Sequence, residues 1–160
     1  MRTELERLEE QLRSSFEGGS WHGPSVRETL DGVTAEEAWR HPIPGAHSIW
    51  ELVLHIAYWN YAVRRHLEPD VSRFPRAPAN WPALPGRPDA RAWAKDRALL
   101  AAEHAALVRA IKRFPERHWS RVPPEGKKWT FGEMIVGVVA HDVYHGGQIS
   151  MLKRLWRGRR

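Results

Sequence analysis

At 160 residues the chain has the length of one domain, able to bury roughly 70% of the surface its unfolded form exposes. It contains no cysteine, which excludes disulfides, thiolate metal sites, iron-sulfur clusters and a cysteine nucleophile, so any thiol chemistry must use a thiol brought by a substrate. The formal charge of +6 gathers at the end, where Lys153, Arg154, Arg157, Arg159 and Arg160 suit the last turn of a solvated helix better than they suit a nucleic-acid footprint.

The chain opens on a charged, periodic stretch, MRTELERLEEQL, without the apolar run of a signal peptide, and a cytoplasmic protein is expected. A first helix is predicted from about Thr3 to Phe16, burying Leu5, Leu8, Leu12 and Phe16 at spacings of three and four. Short helical turns follow near Val26 to Leu30 and Ala35 to Trp39. A second long helix is predicted from Ser48 to about Leu67, with Leu52, Ile56, Trp59 and Val63 on its inner stripe. A third, from about Asp89 to Phe114, places Trp93, Leu100, Leu107 and Ile111 on one face. The fourth runs from Thr130 to about Trp156, aligning Met134, Val138, Leu152 and Trp156.

Thr34-x-x-Glu37, Ser48-x-x-Glu51 and Thr130-x-x-Glu133 have the capping-box form that satisfies free backbone donors at a helix start. Pro- and Gly-rich breaks separate the helices, at Gly18 to Pro24, His41 to His47, Glu68 to Pro88 and Pro115 to Lys128. The break from Glu68 to Pro88 holds half of the chain's 12 prolines and is either a lid over one bundle end or an incidental surface connection. The expected architecture is all-α: one domain over residues 1–160, a four-helix bundle with short extra helices and a long Pro-rich loop.

Histidines carry the chemistry. At about 100° per residue, His141 and His145 fall within about 20° of the Met134/Leu152 line, stacked on the inward face of the fourth helix. The H-x-x-x-H spacing lets two imidazoles grip one ion. His55 lies about 60° from Leu52, on the flank of the second helix's inner stripe. A third inward imidazole is hard to explain as packing, and three ligands plus an open position describe a catalytic rather than a structural metal site. His66 shares the His55 edge but lies about 16 Å along the helix, too far to bind the same ion.

The remaining histidines have plainer readings. His104 is expected as a hydrogen-bonded core residue. His22 and His47 line a pocket mouth or stand in exposed loops, and His41 and His118 face water. Among polar neighbours, Glu51 is accounted for by its capping box, Asp142 either holds a bound imidazole in its tautomer or, as its direction favours, forms a salt bridge, and Gln148 either orients a ligand or bonds across the bundle. Gly146 and Gly147 interrupt a helix, which suggests close packing of a neighbouring backbone.

The run HDVYHGGQI, from His141 to Ile149, resembles the H-x-x-Y-H-x-G-Q-I signature of the DinB-like metalloproteins, the superfamily that includes YfiT-like thiol transferases. PIPGAHSIWELVLHIAYW around His55 and WHGPSVRETL from Trp21 to Leu30 are similar to two further segments of that family, whereas Glu68 to Pro88 has no family pattern. The resemblance implies a four-helix bundle with one divalent ion, zinc or nickel, on His55, His141 and His145. It also implies a bacillithiol- or mycothiol-like cosubstrate, hence a metal-dependent S-transferase or, with water in place of thiol, a hydrolase. The alternative is a stress-response protein that holds a ligand without turnover. Trp21, Trp59 and Gln148 are candidates for the pocket or for contacts behind the ligands. Expected partners are a small-molecule substrate and, as one alternative, a second copy of the chain, with no specific nucleic acid and no membrane.

Overall fold

A computed structural model describes residues 3–68, 70–125 and 128–158. Six α-helices and one 3-10 turn, at Glu116–His118, make up the regular structure, and there is no strand among the described residues. The helices are α1 (Glu4–Glu17), α2 (Val26–Thr29), α3 (Ala35–Trp39), α4 (Ile49–Leu67), α5 (Ala90–Arg113) and α6 (Phe131–Arg157). The four long ones close a ring in which α4 and α1 each pack on both α5 and α6, so the bundle expected from periodicity is present. None of these helices is long and apolar enough to cross a membrane.

Helix starts follow the side-chain signals closely. Ser48 with Glu51 and Thr130 with Glu133 form complete capping boxes, and so do Thr3 with Glu6 and Ser25 with Glu28, two that the sequence reading passed over. Thr34 caps α3 through its hydroxyl alone, because the Glu37 carboxylate turns to Arg157, 3.1 Å away.

Two apolar clusters fill the ring. One gathers Trp50, Leu54, Trp93, Leu100 and Leu152 with residues of α2 and α3, and the other gathers Leu12, Leu107, Ile111 and Ile135. Leu5, Leu12 and Phe16 are buried as expected, while Leu8 is only partly so.

The basic end of α6 is not simply solvated. Lys153 donates to the carbonyls of Thr29 at 3.0 Å and Asp31 at 2.6 Å, and Arg157 donates to the Gly32 carbonyl at 3.1 Å. These cations satisfy carbonyls left free where α2 ends, tying the short helices to the bundle. Arg159 and Arg160 lie outside the described residues.

Candidate metal centre

The site forms where α4 faces α6. His55 stands inside a continuous buried stretch, Leu52 to Ala57, so its ring enters the bundle. His141 and His145, one helical turn apart, meet it from α6: ring centroids are 4.9 Å apart for His55 and His141, 4.8 Å for His55 and His145, and 4.3 Å for the α6 pair. One nitrogen from each ring can be chosen so that all three lie within 4.8 Å of one another, and the Nε2 atoms of His55 and His141 are 3.1 Å apart.

The outer nitrogens explain why those inner ones point at each other. His55 Nδ1 is 3.0 Å from the backbone oxygen of Asn80, which can only accept, so the proton sits on Nδ1 and Nε2 keeps a lone pair. His145 Nδ1 lies 2.6 Å from Oε1 of Gln148, and the same argument leaves its Nε2 free. His141 Nδ1 approaches Oδ1 of Asp142 at 3.6 Å, a long contact just beyond hydrogen-bond reach. Asp142 is fully buried and takes no Lys or Arg partner among the described residues. It accepts instead from Asn60 Nδ2 at 3.0 and 3.1 Å, which corrects the expected salt bridge.

Burial pushes the His55 imidazole down to about 4, against the hydrogen bond to Asn80 and with help from the neighbouring rings. His145 is lowered for the same first reason, with the Gln148 bond opposing. Burial raises the Asp142 carboxyl, opposed by the His141 ring and by Asn60. The 3.1 Å contact between the His141 and His55 Nε2 atoms is closed by one proton, carried on His141 Nε2 because Nδ1 of that ring has no hydrogen-bond partner, and a cation that replaces this proton would take both inner nitrogens as donors. Three neutral nitrogen donors without thiolate or carboxylate among them suit a borderline divalent ion, so the residues present fit the metal that the sequence implied.

The Pro-rich segment lies against this cluster. Trp81 stacks on His55 at 3.8 Å and 6°, and the same indole stacks on His47 at 3.6 Å and 10°. Asn80 supplies the carbonyl for His55, and its side chain accepts from Trp59 Nε1 at 3.0 Å. The segment is held by Trp39 Nε1 donating to the Pro85 carbonyl at 2.8 Å and by Arg76 beside buried Asp96 at 3.3 Å. Asp96 also accepts from Trp50 Nε1 at 2.8 Å.

Other residues fall as follows. Trp21, proposed near the pocket, is 102% exposed, because Gly18 and Gly19 at φ 131° and 79° turn the chain outward after α1. Trp59 is 39% exposed rather than part of an inner stripe, with its ring 5.9 Å from that of His141. His66 takes no part in the histidine cluster. His104 is a core residue, but neither ring nitrogen has a hydrogen-bond partner among the described residues, contrary to expectation. A Cβ on Gly146 would touch the Val26 side chain at 3.4 Å and one on Gly147 would meet nothing within 4 Å, so no neighbouring backbone accounts for either glycine. Asn60, Asn80 and Trp81 were missed. Asn60 had a signal, a polar residue amid the apolar residues of the helix that carries His55. The two loop residues had none, since no periodicity places them.

Comparison with curated proteins and with solved structures returned no match. The family model of the DinB superfamily does match, over residues 20–149, a stretch that includes all three histidines, the whole of α4 and α6 as far as Ile149. The chain therefore belongs to the DinB superfamily.

Proposed function

We propose that the protein is a metal-dependent enzyme in which His55, His141 and His145 hold one divalent ion, zinc or nickel, and that it joins a low-molecular-weight thiol to an electrophilic substrate. The observation that carries this reading is the convergence of the inner imidazole nitrogens, with Nε2 of His55 and His141 at 3.1 Å and protons directed outward to Asn80 and Gln148. A divalent ion held by these three donors would keep its charge and would lower the pKa of a bound thiol, about 8.5 when free, so that its proton passes to solvent and the thiolate stands ready at neutral pH.

The chain's own residues prepare that chemistry. Asn80 and Gln148 fix ring orientation and tautomer, as partners behind metal-bound histidines do. Asp142, anchored by Asn60, stands beside His141 Nδ1. Trp81 covers one face of His55 and shields the site from water. With no cysteine in the chain, the thiol comes from a cosubstrate, which agrees with a cytoplasmic setting. Water in the thiol's place would make the enzyme a hydrolase.

A non-catalytic, ligand-holding role is the second reading. It draws support from Glu51, the nearest carboxylate on α4, being occupied by the Ser48 backbone at 2.7 Å and by His41 at 2.9 Å rather than free to act as a base.

The test is thiol-conjugate formation by metal-loaded protein, chelated protein and His141→Ala, using several small thiols and an aromatic electrophile. The expected result is acceleration by the loaded protein alone. If all three match the uncatalysed rate for every thiol, the transferase reading is wrong and ligand binding replaces it.

A further inference from the structure

Beside the metal centre, between α4 and α6, runs a groove that the histidine cluster does not explain. Trp59, Val63 and His66 line it from α4, at the spacing of one helix face, while Met134, Gly137 and Val138 line it from α6 in the same register. His141 closes the end nearest the cluster, Trp129 stands at the α6 start, and the volume is about 320 Å³. Seven residues of helix give it a length of about 10 Å. That is large enough for one or two fused rings and too small for a peptide.

Its walls are apolar, with no Asp, Glu, Lys or Arg among the residues lining it. His66 adds no charge at neutral pH, since burial, with Arg65 beside it, lowers its pKa. Trp59 and Trp129 remain 39% and 52% exposed although each could bury far more apolar surface. The Trp59 ring is held by its bond to Asn80.

Gly137 is the independent observation. Glycine inside a helix costs up to about 1 kcal/mol relative to alanine, and it persists where a side chain would collide. At Gly132 that reason exists, because a Cβ would run into the Trp119 ring. At Gly137 a Cβ would meet nothing within 4 Å, so no protein neighbour requires the glycine. What a side chain there would occupy is the groove.

We infer that this groove binds an uncharged, flat apolar molecule, the electrophile's apolar body, with its reactive end directed past His141 toward the metal centre. Binding of the apolar body follows from the groove alone. Its role as substrate rests on the metal-dependent reading proposed above.

The probe is 1-naphthylamine, an uncharged two-ring fluorophore, titrated into metal-loaded and chelated protein and into Gly137→Leu. Leucine favours the helix, its Cβ at this position meets no neighbour, and its longer side chain extends into the groove. The expected result is saturable binding to wild type with or without metal. Gly137→Leu should bind at least about tenfold more weakly, while metal content stays at the wild-type value and the melting temperature does not fall. Trp129→Ala, which removes an exposed wall, should weaken binding as well. Equal binding by wild type and both variants, or no binding by wild type, overturns the groove. Probe binding by a protein that takes up no metal leaves the groove standing and removes the metal-dependent reading instead.

Discussion

His104 stacks on Phe16 at 4.0 Å, 1% exposed, with neither ring nitrogen bonded, and burial pushes it down to about 4. As pH falls from about 6.5 toward 4 the unfolded chain takes up a proton that the folded chain refuses, so stability is lost across that window. Replacing the unsatisfied ring by an apolar side chain removes both penalties. His104→Leu should be more stable by about 1–2 kcal/mol at neutral pH, and its margin over wild type should widen at pH 5, as urea unfolding at the two pH values will show. A variant less stable at both would mean that the stacking on Phe16 outweighs the unmet hydrogen bonds. Gln148 presents the opposite case, a polar group whose bond is made. Gln148→Leu should weaken metal affinity by about 10- to 100-fold while saturating metal still restores full content, checked by competition with a chromophoric chelator. The three ligand candidates could be read from the sequence because helical period aims them inward, and Gln148 because it returns to the same face. Asn80 could not, because it works through a backbone carbonyl that every residue possesses.

Within α6, two glycines five residues apart meet different surroundings, so substitution should separate them. Gly132→Ala drives a methyl into the Trp119 ring and should cost about 1–3 kcal/mol. Gly137→Ala should be neutral or stabilising by up to about 1 kcal/mol. Thermal unfolding of the two variants side by side gives the comparison, and equal destabilisation would contradict the packing described. The long helices and two of their four N-caps, Ser48 and Thr130, were legible because 3.6-residue period and hydroxyl-x-x-Glu spacing are local properties. The covering segment was legible as a Pro-rich break, with a lid and an incidental connection left as alternatives. Its attachment depends on Arg76 finding Asp96 and Trp39 finding Pro85, pairs 20 and 46 residues apart that no local pattern connects.

At the scale of the molecule, the two apolar clusters do not include the three histidines, so the bundle should fold without the ion. Chelation is expected to lower the melting temperature by mass action while leaving the helical circular dichroism intact. Loss of helicity on chelation would make the site structural. The central claim is that His55, His141 and His145 together hold one ion, and elemental analysis of protein prepared without an affinity tag tests it most directly. The account predicts about one zinc or nickel per chain, lost in each of His55→Ala, His141→Ala and His145→Ala and retained in His66→Ala. Metal content that survives these three substitutions, or falls equally with His66→Ala, would contradict it.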